Sequence, residues 1–118
     1  MNIKECYEKI GANYDDVVSR FGSEAIMERF AVKFLSDESY ANLEKAMGEK
    51  NGEDAFRAAH TLKGVAQNLG FDRLYAVSVP LTEAMRGAKP LDDFSLLAAV
   101  QTVQAETLAA IAKLDDTP

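Results

Sequence analysis

The stretch AAHTLKGVAQNLG, residues 58–70, decides the predicted fold because it joins a helical pattern to the only histidine in the chain, His60. Apolar side chains recur in it at the three- and four-residue spacing of an amphipathic helix. Asn51 is a suitable N-cap for that helix, and Gly70 stands where a left-handed residue would end it. The pattern therefore predicts a helix over about residues 52–69.

A helical wheel of this segment separates its apolar side chains from the histidine. With His60 at zero and about 100° per residue, a group of apolar side chains falls roughly between 140° and 240°. This arc is the predicted buried face, and it comprises Ala55, Ala58, Leu62, Val65, Ala66 and Leu69. The imidazole is therefore expected to project into solvent. Its predicted neighbours are Phe56, Arg57, Lys63, Gly64 and Gln67.

Gly64 is unusual in the interior of a helix because glycine there costs about 1 kcal/mol relative to alanine. It lies too far before Gly70 to act as a cap, and it is on the exposed face, where close helix packing does not explain it. We therefore expect it to give another macromolecule room to approach the imidazole. Lys63 can reach an anion on the ring, and Gln67 can hydrogen-bond to the ring or to that anion. Alone, each would be an ordinary solvated residue, but together they suit a histidine that carries a phosphoryl group.

The rest of the chain consists of helical segments separated by Gly, Asn, Asp and Pro, and no segment alternates long enough for a sheet. Ile26, Phe30 and Phe34 recur at helical spacing in one of these segments. The predicted fold class is all-α, an antiparallel four-helix bundle with one or two short additional N-terminal helices. The predicted segments are about 3–10, 14–21, 24–37, 40–47, 52–69, 72–86 and 93–114.

Composition limits the function classes. A chain of 118 residues with a net charge of −6 is predicted to be one domain, residues 1–118, that is repelled by nucleic acids and anionic membranes. No apolar run is long enough to span a membrane, and the first residues do not resemble a signal peptide. Cys6 is the only cysteine, so an internal disulfide is excluded and a cytoplasmic location is expected.

The arrangement His60-x-Leu62-Lys63-Gly64-x5-Gly70, preceded by Ala58 and Ala59, resembles the signature of histidine-containing phosphotransfer (HPt) domains of two-component phosphorelays. The resemblance covers nearly the whole chain. It implies that His60 accepts a phosphoryl group, through Nε2, from a receiver-domain aspartyl phosphate and passes it to another receiver aspartate. Lys63 would screen the phosphoryl oxygens, Gln67 would orient the ring, and Gly64 would provide clearance. The docking patch would be bordered by Phe56, Arg57, Asn68 and Phe71.

The resemblance also implies the partners of the chain, which are response-regulator receiver domains and a hybrid sensor histidine kinase. It implies a carrier without a nucleotide site of its own rather than an enzyme, and no cofactor. The Mg²⁺ needed for transfer is expected on the receiver. A monomer is expected because the phosphorylation face must stay open.

Several alternatives remain at this point. One is the N-terminal phosphotransfer domain of a chemotaxis-type histidine kinase, and another is a helical adaptor that binds a receiver or other partner without being phosphorylated. A di-metal bundle is disfavoured because Arg57 stands where such sites place a glutamate, three residues before the histidine. Nucleophilic catalysis by Cys6 with His60 is disfavoured because no group is identified that would orient the imidazole.

Overall fold

The computed structural model describes residues 1–91 and 93–114, so residues 92 and 115–118 of the predicted domain lie outside the described part. Within those ranges the chain forms α-helices and one 3₁₀ turn, Phe34–Ser36, and no strand. The all-α prediction is confirmed. The helices are α1 Ile3–Lys9, α2 Tyr14–Phe21, α3 Glu24–Lys33, α4 Ser39–Gly48, α5 Gly52–Leu69, α6 Asp72–Ala84 and α7 Ser95–Ala112.

The helix ends follow the capping residues in the sequence. The side chains of Ser23 and Asn51 accept hydrogen bonds from the first turns of α3 and α5, and Asn51 does so from the Asp54 N–H at 3.1 Å. Gly22 and Gly70 adopt left-handed conformations after α2 and α5, with φ of 86° and 73°. A residue with a side chain is strained there, which explains why glycine ends both helices.

Four helical segments form the bundle, and the first of them, residues 24–48, is interrupted because it consists of α3, the 3₁₀ turn and α4. An extended residue, Asp37, separates the 3₁₀ turn from α4. The Asp37 carboxylate accepts a hydrogen bond from the Ser39 N–H at 2.8 Å and so stabilises the new helix start. Helix α4 packs on α5, α5 on α6 and α6 on α7, while α3 contacts both α5 and α7 and the 3₁₀ turn contacts α7. These contacts close the bundle.

The two short helices at the N-terminus close one end of α5. The Tyr7 hydroxyl donates to the Leu69 carbonyl at 2.7 Å, and the Asn13 N–H donates to the Gly70 carbonyl at 3.2 Å. A Cβ on Gly70 would lie only 2.0 Å from Cγ2 of Val17. Helices α1 and α2 are therefore packed into the same core as the bundle, against the last turn of the histidine helix.

The apolar side chains of α3 and the 3₁₀ turn are divided between the core and the surface. Phe34 is buried, but Ile26 and Phe30 are 38% and 39% exposed. The core instead receives Met27 and Ala31, which are fully buried. Helix α3 therefore turns the side that carries Met27 and Ala31 toward the core and leaves Ile26 and Phe30 at the surface.

Helix α7 has a mean hydropathy of 1.2 over its 18 residues, so length and composition alone would allow it to cross a membrane. A helix that lies in the core of a bundle meets the same two criteria. The buried residues of α7, among them Leu97, Val100 and Ile111, belong to the core that the other helices share. Its apolar character is accounted for by this packing.

Candidate functional site

His60 lies on α5 with its side chain exposed, as the helical wheel predicts. The ring of Phe56, one turn earlier, lies nearly parallel to the imidazole, with 6.2 Å between ring centroids and 21° between planes. Phe56 itself is half-buried and packs against the core. The imidazole is therefore supported on one side by an anchored aromatic ring and is open to solvent elsewhere.

The buried face of α5 is rotated slightly from the predicted one. Ala59 is buried with 1% exposure although it falls outside the predicted arc, and Val65 is only half-buried although it falls inside. Helix α5 packs against both α4 and α6, so its buried face is set by two neighbouring helices rather than by one. As a result Phe56 and Lys63 stand at the edge of the helix interface, while His60 stays clear of it.

Lys63 is half-buried at this edge and interacts with a charged pair formed by Glu83 of α6 and Arg86, which follows that helix. The Arg86 guanidinium contacts the Glu83 carboxylate at 2.6 Å. The pKa of the Glu83 carboxyl is lowered, chiefly by the hydrogen bond from Arg86, and Lys63 adds to that lowering. Lys63 therefore acts electrostatically across the helix interface on Glu83 of α6. Sequence reasoning missed Glu83 and Arg86, and their i,i+3 spacing was the only signal available.

Gly64 lies on the exposed face of α5, one turn after the histidine. A Cβ added to it would meet no heavy atom within 4 Å. Within residues 1–91 and 93–114 no contact requires a glycine here, in contrast with Gly70, where both the backbone angle and Val17 require one. The role of Gly64 in giving a partner room beside His60 stays a prediction.

Three further residues proposed for this face are also exposed: Arg57, Gln67 and Asn68. Arg57 forms ion pairs with Glu53 at 3.1 Å and Asp54 at 3.3 Å, so it is held toward the start of α5. Arg57 also lines a groove of about 450 Å³ between α4 and α5. On the helical wheel Arg57 and Asn68 fall on the side of His60 opposite Lys63, whereas Gln67 falls on the same side as Lys63.

The match to known families agrees with this geometry. The model of the Hpt domain family matches residues 35–115, more than half of the chain. This chain belongs to the Hpt domain family. No curated protein and no solved structure matches it.

Membership of the Hpt family assigns the chain to phosphorelay signalling by histidine phosphotransfer, as a carrier rather than a classical enzyme. Hpt domains act with receiver domains and histidine kinases. The matched range contains α4 to α7 and therefore the histidine helix. Helices α1, α2 and α3 precede it, so the match does not describe what these helices do in this Hpt protein.

One residue predicted for the docking patch is placed elsewhere by the structure. Phe71 is 1% exposed, and its ring packs against Tyr7 and Phe34 at centroid distances of 5.6 and 5.3 Å. The prediction that Phe71 borders the docking surface of this Hpt domain is therefore wrong. The chain turns at Gly70, and that turn directs the next side chain inward.

Cys6 lies in the core with 0% exposure, and burial raises the pKa of its thiol to about 11. A thiol in that environment stays protonated near neutral pH and is a poor nucleophile. The side chain packs as a small apolar residue. No group of His, Cys, Asp and Glu side chains that could hold a metal ion occurs within residues 1–91 and 93–114.

Proposed function

We propose that this chain is an intermediate phosphoryl carrier that accepts a phosphoryl group on His60 from a receiver-domain aspartyl phosphate and transfers it to a second receiver aspartate. The observation that carries the proposal is an exposed imidazole on the helix of an Hpt bundle, with open space at Gly64 and a lysine one turn away. A receiver domain must approach closely, and this face permits it.

In the proposed transfer reaction this chain supplies the nucleophile, which is the lone pair of one imidazole nitrogen of His60. In the proposed step, Nε2 of neutral His60 attacks phosphorus, and the bond between phosphorus and the acyl oxygen breaks. The aspartate carboxylate leaves with that electron pair, while the imidazole keeps its proton on Nδ1. The receiver would supply Mg²⁺ and the positioned carboxylates. Lys63 would screen the charge of the transferred group, and Gln67 would hold the ring in position.

The proposal is tested by incubating the purified protein with a receiver domain that has been charged by acetyl phosphate. Phosphate that is labile in acid and stable in alkali should then appear on the intact protein, as expected for a phosphoramidate bond. A charged receiver that loses its phosphoryl group at the same rate with and without the protein would contradict the proposal.

Lys63→Ala is expected to slow transfer and to shorten the lifetime of phosphohistidine by about 10-fold, since a partly desolvated cation is lost beside the phosphoryl group. The helix should remain intact because Lys63 stands at the edge of the interface. Stopped-flow transfer and the decay of label measure the two effects. Lys89→Ala, which removes the same charge from the exposed α6–α7 connection, is the matched control and should change neither.

Glu83→Gln is expected to act in the opposite direction. It removes a negative charge whose field reaches Lys63 and leaves Arg86 without its carboxylate partner. The phosphohistidine lifetime should rise about 2-fold, the scale of an exposed charge interaction, and the gain should shrink as salt is added. A shorter lifetime at low salt would contradict the electrostatic assignment.

Gly64→Gln is expected to reduce transfer from a charged receiver by about 100-fold, because its side chain would enter the space through which the partner approaches. The isolated protein should be more stable by up to about 1 kcal/mol, since the space is empty and glutamine favours helix. Transfer kinetics and urea unfolding measure both. Gly48→Gln is the matched control, because Gly48 also lies in a helix with nothing within 4 Å of its added Cβ. Normal transfer by Gly64→Gln would remove our explanation of this glycine.

A further inference from the structure

The imidazole of His60 is held by an aromatic contact rather than by a hydrogen bond. The ring centroids of Phe56 and His60 lie 6.2 Å apart, with 21° between the two planes. This separation falls in the range in which aromatic rings attract each other in an offset stack. Within residues 1–91 and 93–114 no group donates a hydrogen bond to the imidazole or accepts one from it. The stack on Phe56 is therefore the interaction that orients the ring in the free protein.

The contact follows from the spacing of the two side chains along α5. Long side chains in an α-helix lean toward the N-terminus of the helix, over the residues three and four positions earlier. For His60 these residues are Arg57 and Phe56. The Arg57 guanidinium is occupied by ion pairs with Glu53 at 3.1 Å and Asp54 at 3.3 Å. Phe56 is therefore the side chain that is left to support the imidazole.

The ring of Phe56 is itself fixed by the bundle. Phe56 is half-buried and packs against the hydrophobic core that the helices share. An exposed helical side chain without such a neighbour populates several rotamers. An imidazole that rests on an immobile ring has lost part of this freedom before any partner binds, so less conformational entropy is lost when the partner uses it.

Stacking orients the imidazole without blocking its reactive edge. The lone pair of an unprotonated imidazole nitrogen lies in the plane of the ring, and that nitrogen accepts bonds there. Phe56 covers a face of the ring rather than its edge, because the two planes are nearly parallel. Nε2 is the ring nitrogen farther from the backbone, so a fixed ring presents it at a constant position. In-line attack on phosphorus depends on such positioning, and small misplacements lower the rate by large factors.

We propose that Phe56 is a positioning residue for phosphotransfer, whose ring holds the imidazole in the orientation that a receiver's aspartyl phosphate requires. The inference rests on the proposed function and goes beyond it, because the resemblance to HPt domains places Phe56 only at the border of the docking patch. Phe56 acts before the partner arrives, whereas Gln67 is proposed to hold the ring during transfer. The nucleophile remains Nε2 of His60, and no covalent step involves Phe56.

The experiment compares Phe56→Leu with Phe56→Tyr and Phe21→Leu. Leucine keeps an apolar side chain against the core but removes the ring, and tyrosine keeps the ring. Phe21 is also half-buried and packed against the core, but its ring stacks on Phe30 instead of His60. Phe21→Leu is therefore the matched control for the packing that is lost when a phenylalanine is replaced.

Three measurements are made on each protein. The proton NMR resonances of the His60 ring report the stack, because a neighbouring aromatic ring shifts them and no other histidine is present. The receiver domain that charges the wild-type protein fastest in a panel from the same genome is charged by acetyl phosphate. Transfer from it is followed over a range of concentrations, which separates the maximal rate from the half-saturating concentration. Labelling of His60 by phosphoramidate is measured without any receiver.

We expect Phe56→Leu to change the His60 resonances and to lower the maximal transfer rate about 5-fold, the scale of one aromatic pair. The half-saturating concentration should stay unchanged, because the ring acts on orientation rather than on docking. Labelling by phosphoramidate should also stay unchanged, since a small donor can reach the imidazole in any orientation. Phe56→Tyr and Phe21→Leu should match the wild type in all three measurements.

A raised half-saturating concentration with an unchanged maximal rate in Phe56→Leu would overturn the proposal and make Phe56 a docking contact. Unchanged His60 resonances in Phe56→Leu, or an equal loss of rate in Phe21→Leu, would overturn it as well. If no charged receiver labels the wild-type protein, the carrier function is overturned. A change of the His60 resonances confined to Phe56→Leu would in that case still support the contact that orients the ring.

Discussion

His60→Gln is expected to abolish phosphoryl acceptance, with labelling by a charged receiver falling at least about 1000-fold because no other imidazole is present in the chain. Glutamine keeps a polar side chain at an exposed helix position, so the fold should be unaffected. The measurement is the acid-labile phosphate on the protein after timed incubation with the receiver, together with circular dichroism of the variant.

Binding of the receiver serves as the control for His60→Gln. Its affinity for a beryllofluoride-bound receiver should stay close to that of the wild type, since the surrounding face is retained. Equal labelling of the variant and the wild type would show that His60 is not the acceptor. Receiver binding by both proteins, with no label on either, would instead favour the adaptor alternative.

Leu62→Asp is expected to unfold the domain. Leu62 is 0% exposed and lies on the buried face of α5. A carboxylate there must either lose its hydration or be protonated, at a cost of several kcal/mol on top of the lost apolar burial. Domains are typically stable by only about 5–15 kcal/mol, so most or all of the stability should disappear. Urea titration followed by far-ultraviolet circular dichroism measures the effect.

The adjacent residue provides a matched control for this substitution. Thr61 is exposed, so Thr61→Asp introduces the same charge into the same helix on its solvent side. Its free energy of unfolding should change by less than about 1 kcal/mol. A soluble, fully helical Leu62→Asp protein would mean that the buried face of α5 has been assigned wrongly.

The outline of the fold and the position of the histidine could be predicted from sequence because both depend on local signals. Ser23, Asn51 and Gly70 fix helix ends through hydrogen bonds and backbone angles that act within a few residues. The exposure of His60 follows from the apolar arc on the opposite side of its own helix. None of these inferences needed the position of another helix.

The sequence-based predictions failed where the position of a side chain depends on contacts between helices. Phe71 is buried because Tyr7, from the far end of the chain, packs against it. Glu83 was missed because its effect on Lys63 depends on how α6 lies along α5. Each case depends on tertiary contacts that one helical wheel does not contain.

The packing around Phe71 bears on where this protein can be truncated. The matched family range begins at residue 35, yet both aromatic neighbours of that ring, Tyr7 and Phe34, come before it. A fragment that begins at residue 35 would lack Tyr7 and Phe34, so the ring of Phe71 would be exposed. The last turn of α5 would also lose its hydrogen bond from the Tyr7 hydroxyl. We therefore expect a stably folded fragment to extend beyond the matched range and to include α1.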